Sequence, residues 1–193
     1  DILTFSSGLD LEVVDFELTQ TFQAGTFSGQ LSAGGRYTRI QQTYHHVEAP
    51  LTTLDDIVNS SQTFHGFGPS LGAEVRRSIL DSGLALYANG RGSMLFGKSS
   101  QTAISINDNA IERIGGYANW NIVPTLETEL GILWEQDTNR GRFFLDAGVV
   151  GIAFFGAGNA ANNQILVYST DDQADKNATL GFFGFKFAAG MSY

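Results

Sequence analysis

The chain has 193 residues, of which 42% are hydrophobic and only 16% are charged. That length suits one all-β domain or barrel, and the low charge content is unusual for a soluble surface. A net charge of −9 excludes a nucleic-acid footprint, and the absence of cysteine excludes a disulfide scaffold, a thiolate metal site and a cysteine nucleophile. The longest uncharged run, Ala147–Thr170, is apolar only as far as Gly158, which is too short for a membrane helix.

Segments of barrel-strand length follow one another along the chain, each with one apolar and one polar face. In the first, Phe16 and Leu18 lie on the face opposite Asp15 and Glu17. The predicted strands are Leu9–Phe22, Phe27–Ile40, Phe64–Arg76, Leu84–Phe96, Glu112–Val123, Leu126–Glu135, Phe143–Phe155 and Leu180–Tyr193.

The last predicted strand has the form of the closing strand of an outer-membrane barrel, with apolar residues at alternate positions and a terminal aromatic. Its opposite face is small or polar and includes Lys186. We therefore predict outer-membrane lipid and the barrel-assembly machinery as partners. The predicted membrane-insertion signal consists of Phe183, Phe185, Phe187, Met191 and Tyr193.

Short turns alternate with longer polar segments at Gln41–Thr63, Gly97–Ala110 and Gly156–Asn177. This alternation is typical of the periplasmic turns and extracellular loops of outer-membrane barrels. With Pro124 and Thr125 read as a turn, however, the last two predicted strands run in the same direction. An extra strand at Gln164–Ser169 resolves the conflict and gives nine strands, and closure with an even count then requires a strand before Leu9.

The predicted fold is therefore an all-β, antiparallel up-and-down transmembrane β-barrel. It has about 8–10 strands in this chain and forms a single domain over residues 1–193. On this argument Ile2–Phe5 is the remnant of a further strand, and the chain is the C-terminal part of a larger, N-terminally incomplete barrel.

The apolar face points inward in a soluble barrel and toward lipid in a membrane barrel. The polar faces carry ions of both signs, which suit either a solvated outer surface or a lumen. In a narrow barrel these ions form a buried, paired network, and in a wide one they line a water-filled path. The predicted lumen-lining residues are Asp15, Glu17, Arg36, Glu74, Arg76, Arg91, Arg113, Glu127, Glu129, Glu135, Asp146 and Lys186.

Several strand-like motifs, rich in glycine, occur in a characteristic order. They are DLEVVDFELTQTF from Asp10, LSAGGRYTRIQQ from Leu31, FHGFGPSLGAEVRRSI from Phe64, GLALYANGRGSMLFG from Gly83 and LGFFGFKFAAG from Leu180. Together they resemble the pore-forming outer-membrane proteins related to the major outer membrane protein of Legionella, a family also abundant in planctomycetes. The resemblance implies a non-enzymatic pore of a Gram-negative cell envelope and a longer N-terminus. Gln164–Asp175 is longer than the family's usual final loop.

The residues indicate no active site, so we expect no enzyme activity, no catalytic residues, no cofactor and no metal. The three histidines, His45, His46 and His65, lie outside the interiors of the predicted strands. The hypothesis is a porin-like outer-membrane channel for passive diffusion of small hydrophilic solutes or ions, with an oligomer left open. One alternative is a structural or adhesive barrel with a plugged interior and functional extracellular loops. The other is a soluble ligand-binding β-barrel, which places Phe183, Phe185 and Phe187 inside.

Overall fold

The computed structural model describes residues 2–49, 56–79, 82–107, 110–138, 141–161 and 178–192. These residues form one antiparallel sheet whose seven strands lie side by side in chain order. The strands are β1 (Ile2–Ala24), β2 (Phe27–Ala49), β3 (Asp56–Ile79), β4 (Leu84–Asn107), β5 (Ala110–Thr138), β6 (Gly141–Phe154) and β7 (Leu180–Ser192).

The sheet curls into a half-barrel, which confirms the all-β, antiparallel up-and-down architecture. Strands β1, β3, β5 and β7 run toward the end that holds the β1–β2, β3–β4 and β5–β6 connections. We call this the turn end and the opposite end the loop end. Within the described residues, no helix is long and apolar enough to cross a bilayer.

The prediction of a turn at Pro124–Thr125 is wrong, because β5 continues through both residues. A proline inside a sheet removes one N–H donor. The Pro124 carbonyl accepts a hydrogen bond from the Phe155 N–H at 2.9 Å, just past the end of β6. Because the N–H and C=O of one strand residue point the same way, the missing donor faces the end of β6, and the pairing with β4 stays intact.

One continuous β5 also removes the conflict in strand direction. Among the described strands, β6 runs toward the loop end and β7 runs back toward the turn end, so their directions no longer require an extra strand between them. The predicted strand at Gln164–Ser169 lies outside the described residues. Ile2–Phe5 is not the remnant of a separate strand, since it is paired within β1 along the end of β2.

The predicted loops Gln41–Thr63 and Gly97–Ala110 are mostly strand. β2 continues to Ala49, β3 begins at Asp56, and β4 continues to Asn107. The backbone ladder continues through these polar segments, with Gln42 paired to Gln62 and Gln62 paired to Gln101. Sequence alternation missed them because polar residues occupy both faces there, and a paired backbone needs no apolar face.

A small apolar core lies on the concave side of the sheet, nearer the loop end. It consists of buried side chains from five strands and the segment after β6: Ile40, Phe64, Leu95, Val123, Phe154 and Ala157. Gly66 and Gly97 face each other across β3 and β4 beside this core. A Cβ on Gly97 would overlap the His65 carbonyl, so the close approach of the two strands requires glycine.

Candidate functional site

The convex face of the sheet is apolar and exposed. Phe16 and Leu18 of β1 are 73% and 84% exposed, and Phe183, Phe185 and Phe187 of β7 are 73%, 70% and 79% exposed. A soluble barrel predicts that these β7 side chains point inward, which they do not. Large, contiguous apolar surface of this kind indicates contact with lipid or another protein.

Across β2, β3 and β4, the apolar band on the convex face ends at a row of aromatic side chains on the loop-end side, although Ile104 and Ile114 are exposed apolar residues farther out on the same face. Tyr37, Phe67 and Phe96 form one row across β2, β3 and β4. The next convex-face row consists of Glu12, Arg39, His65 and Lys98, followed by Trp120. A row of aromatic residues followed directly by a row of mostly charged residues is typical of the edge of a membrane-facing band.

The height of this band fits a bilayer. On β2 the band runs over 11 residues, from Phe27 to Tyr37. At about 3.3 Å per residue and a tilt of about 40°, this strand rises about 25 Å, the height expected for an outer-membrane barrel. At the turn end the Arg77 guanidinium lies 5.3 Å from the Phe27 ring centroid, which places a cation at the other edge.

The concave face carries ionised side chains, and the largest group surrounds Arg36 of β2. Arg36 is 1% exposed. Its Nε and Nη2 donate to Asp15 at 2.7 and 2.9 Å, and its Nη1 donates to Glu127 at 2.6 Å. Two charge-assisted bonds to one carboxylate fix the plane of the guanidinium as well as its position.

Arg91 of β4 extends this network. Its Nη2 donates to Glu17 at 2.8 Å, and its Nη1 lies 3.6 Å from Asp15 and 3.5 Å from Glu127. The Ser70 hydroxyl donates to the other oxygen of Glu17 at 3.2 Å. We call Asp15, Glu17, Arg36, Arg91 and Glu127 the Arg36 cluster; its three acids exceed its two bases by one negative charge.

The Arg36 cluster also shows how strongly the sheet curls. Arg36 on β2 reaches Glu127 on β5, three strands away, and Arg91 on β4 reaches Glu17 on β1. Three strand spacings correspond to about 14 Å along a flat sheet. Contacts below 3 Å over that separation require the strands to curve around the cluster, so the charges lie inside the curve.

A second group lies nearer the turn end, around Lys186 of β7. The Lys186 ammonium donates to Glu129 at 2.7 Å and lies 2.9 Å from Asp146. The Tyr87 hydroxyl lies within donating distance of the same two carboxylates, 2.8 Å from Glu129 and 2.7 Å from Asp146. Gly131 and Gly148 leave room for the Tyr87 side chain, since a Cβ on either would overlap it.

The remaining predicted lumen residues are distributed as follows. Arg76 donates to Glu135 across the concave side. Glu74 is exposed and lines, with Arg76 and the Lys186 group, a crevice of about 150 Å³. The Arg113 side chain and Tyr193, predicted to belong to the lumen and to the insertion signal, lie outside the described residues. Met191 is half-buried.

The structure thus brings most of the predicted charges together on one face, while their role in a lumen stays a prediction. Sequence reasoning missed Ser70 and Tyr87 as members of the ionic groups. Both residues lie on the polar faces of their predicted strands, so the alternation of polar and apolar residues already places them on the same face as the charges. It also missed Gln42 and Gln62, whose side chains bond to the segment after β6, because the sequence predicts a loop at both positions.

A curled antiparallel wall with an apolar convex face and an ionic concave face defines a membrane β-barrel protein. The family model described as the Legionella pneumophila major outer membrane protein precursor matches residues 3–192, and the chain belongs to this family. Family and fold together point to the outer membrane. No curated protein and no solved structure matches the chain.

Proposed function

We propose that the protein is a porin-like channel through which small hydrophilic solutes and ions diffuse passively along the concave wall. The observation that carries the proposal is the arrangement of the two faces, which is the reverse of that in a soluble barrel. Ionised side chains lie inside the curve of the sheet, and the exposed apolar side chains lie outside it. A water-filled lumen solvates such charges, and fixed charges along a lumen bias which ions enter. No chemical step is required.

The charge balance of the wall favours cations. Of the predicted lumen residues, the acids on the described concave face are Asp15, Glu17, Glu74, Glu127, Glu129, Glu135 and Asp146, against the bases Arg36, Arg76, Arg91 and Lys186. Seven acids against four bases leave an excess of three negative charges. A lumen with this excess attracts cations and repels anions.

The proposed channel needs a closed wall, because a sheet edge inside a bilayer leaves backbone groups without partners. Among the described residues, β1 pairs only with β2 and β7 pairs only with β6. Further strands must therefore complete the barrel around the concave wall. The exposed phenylalanines of β7 are, in this proposal, the surface that the barrel-assembly machinery and then lipid contact.

A planar-bilayer recording of the full-length protein tests this function. We expect conductance steps and, in a KCl gradient, a reversal potential that shows preference for potassium over chloride. A barrel that is demonstrably inserted but never conducts would refute the channel.

A single substitution tests the proposed source of the selectivity. Glu74→Lys replaces a negative charge by a positive one on the exposed part of the wall, so we expect the cation preference to fall. Glu12→Lys makes the same change on the convex face, where Glu12 lies 3.6 Å from Arg39. The reversal potential should shift clearly for Glu74→Lys and hardly for Glu12→Lys; equal shifts would contradict the assignment of the faces.

A structural barrel with a filled interior is the second candidate. It is favoured by the burial of Arg36 and by the apolar core on the concave side. This candidate predicts an inserted, stable barrel without conductance, so the same recording separates the two.

A further inference from the structure

The segment that follows β6, Phe155–Ala161, folds across the concave side of the sheet. The Asn121 side-chain amide donates to the Gly156 carbonyl at 2.9 Å. Gly156 and Gly158 have φ values of 70° and 86°, a backbone region that favours glycine. These two positions turn the segment back over the wall.

Two glutamine side chains from neighbouring strands hold the segment further along. Gln62 of β3 donates to the Ala157 carbonyl at 2.8 Å, and Gln42 of β2 donates to the Gly158 carbonyl at 3.2 Å. The Gln42 carbonyl oxygen also accepts the Ala160 N–H at 3.3 Å. We call Gln42, Gln62 and Asn121 the amide clamp; all three are uncharged.

The segment is packed as well as hydrogen-bonded. Ala157 is 1% exposed and belongs to the apolar core, and Ala160 is also buried. A Cβ on Gly158 would overlap the Gln62 side chain, which shows how closely the clamp fits. Gln62 is buried, and Gln42 and Asn121 are half-buried. Shielded amides that bond to backbone groups hold a loop in one position, because releasing it leaves polar atoms unpaired.

The amide clamp lies at a different height from the charges. Gln42 is six residues beyond Arg36 on β2, which corresponds to about 20 Å along the strand. It is also beyond Arg39, which lies in the charged row that ends the apolar band on the convex face. The segment therefore crosses the concave side at the loop-end edge of the band, above the Arg36 cluster.

We propose that Phe155–Ala161 is a fixed constriction at the loop-end mouth of the channel. It forms an uncharged size filter, separate from the charged wall below it, which sets ion preference. The proposal rests on the proposed channel function. The backbone and small side chains held by the amide clamp set the size limit for solutes. The charged wall, farther along the channel, sets the preference for ions of one charge.

Thiol labelling tests the position of the constriction. The chain contains no cysteine, so Asn159→Cys provides one exposed thiol on the segment. Reaction with a bulky, water-soluble thiosulfonate, verified by mass spectrometry, should lower the single-channel conductance by about half or more, since it narrows the path. The control is Thr102→Cys, exposed on the convex face of β4 beyond the band, whose modification should leave the conductance unchanged.

Loosening the clamp tests the same assignment in the opposite direction. The double variant Gln42→Ala and Gln62→Ala should raise the conductance and admit larger uncharged solutes, with an unchanged potassium-to-chloride preference. Gln41→Ala is the matched control, because Gln41 is the neighbour on the opposite face, where it accepts a bond from Arg39 at 2.8 Å.

The outcomes separate the constriction from the channel itself. An inserted wild-type protein that does not conduct overturns the channel and the constriction with it. A conducting wild type whose conductance is unchanged by verified modification at position 159 overturns the constriction alone. An unchanged potassium-to-chloride preference in the double variant also shows that the charged wall is still folded.

Discussion

Replacing Arg36 by methionine is expected to destabilise the folded protein by about 3–5 kcal/mol, the usual cost of breaking a buried ion pair from one side. The change leaves Asp15 and Glu127 on the concave face without the guanidinium that both contact. Arg36 is 1% exposed, and the Asp15 and Glu127 side chains are 25% and 23% exposed, so water replaces the lost donors only in part. The measurement is the free energy of unfolding in urea, with the protein folded into lipid vesicles.

Arg39→Met is the matched control on the same strand. Arg39 lies on the convex face, where its nearest carboxylate is Glu12 at 3.6 Å and both side chains are at least one-third exposed. Exposed pairs of this kind contribute about 0–1 kcal/mol. Equal losses of stability for Arg36→Met and Arg39→Met would contradict the interior position of the Arg36 cluster. Adding Asp15→Asn and Glu127→Gln to Arg36→Met should recover part of the loss, because no charge is then left unpaired.

Introducing arginine at Leu71 is expected to cost about 2–4 kcal/mol, the penalty for a cation at the bilayer midplane on the lipid face of a barrel. Leu71 lies in the middle of the apolar band of β3 and is 67% exposed on the convex face. The measurement is the fraction of protein that folds into vesicles and its free energy of unfolding.

Thr63→Arg provides the control for this substitution. Thr63 lies on the same face of β3, eight residues from Leu71, beyond the charged row that contains His65. Arginine there meets water, so the expected cost is small. If Leu71→Arg folds as well as Thr63→Arg, or gains solubility without lipid, the apolar band is not a membrane surface.

The faces of the strands could be predicted from the sequence because a period of two assigns every side chain to one side. Phe16 and Lys186 were assigned in this way, and the structure places them on opposite faces of the sheet. The same alternation contained the signal for a continuous β5. Ile114, Ile122 and Trp134 are all at even positions, so the phase passes through Pro124 unbroken. Pro124 alone predicts a turn, whereas the alternation on both sides of it predicts one strand.

The interior could not be predicted to the same extent, because it depends on contacts between distant strands. The pairing of Arg36 with Glu127 joins residues 91 positions apart and requires the curl of the sheet. The hydrogen bonds of Gln42 and Gln62 to Gly158 and Ala157 depend on how the segment after β6 folds back. Residue types at those positions carry no period that would reveal them.

The architecture places the ionised side chains of the band on one face of the sheet. Apolar residues cover the convex side, so the ionised groups of the band concentrate inside the curve. Their mutual pairing stabilises the wall, and their excess of acids provides the expected cation preference. In the proposed channel, stability and selectivity thus depend on the same side chains, of which Arg36 is the most buried.

Nitroxide labelling of two neighbouring residues tests the orientation of the wall most directly. Ala88 and Asn89 are adjacent on β4, with Ala88 exposed on the convex face and Asn89 half-buried on the concave face. Labels at Ala88→Cys and Asn89→Cys are compared in the full-length protein, reconstituted into lipid vesicles. A label at Ala88→Cys should collide mainly with oxygen dissolved in lipid, and one at Asn89→Cys mainly with a water-soluble nickel chelate. The reverse order, or equal access of both labels to the nickel chelate, would contradict a lipid-facing apolar surface around a charged interior.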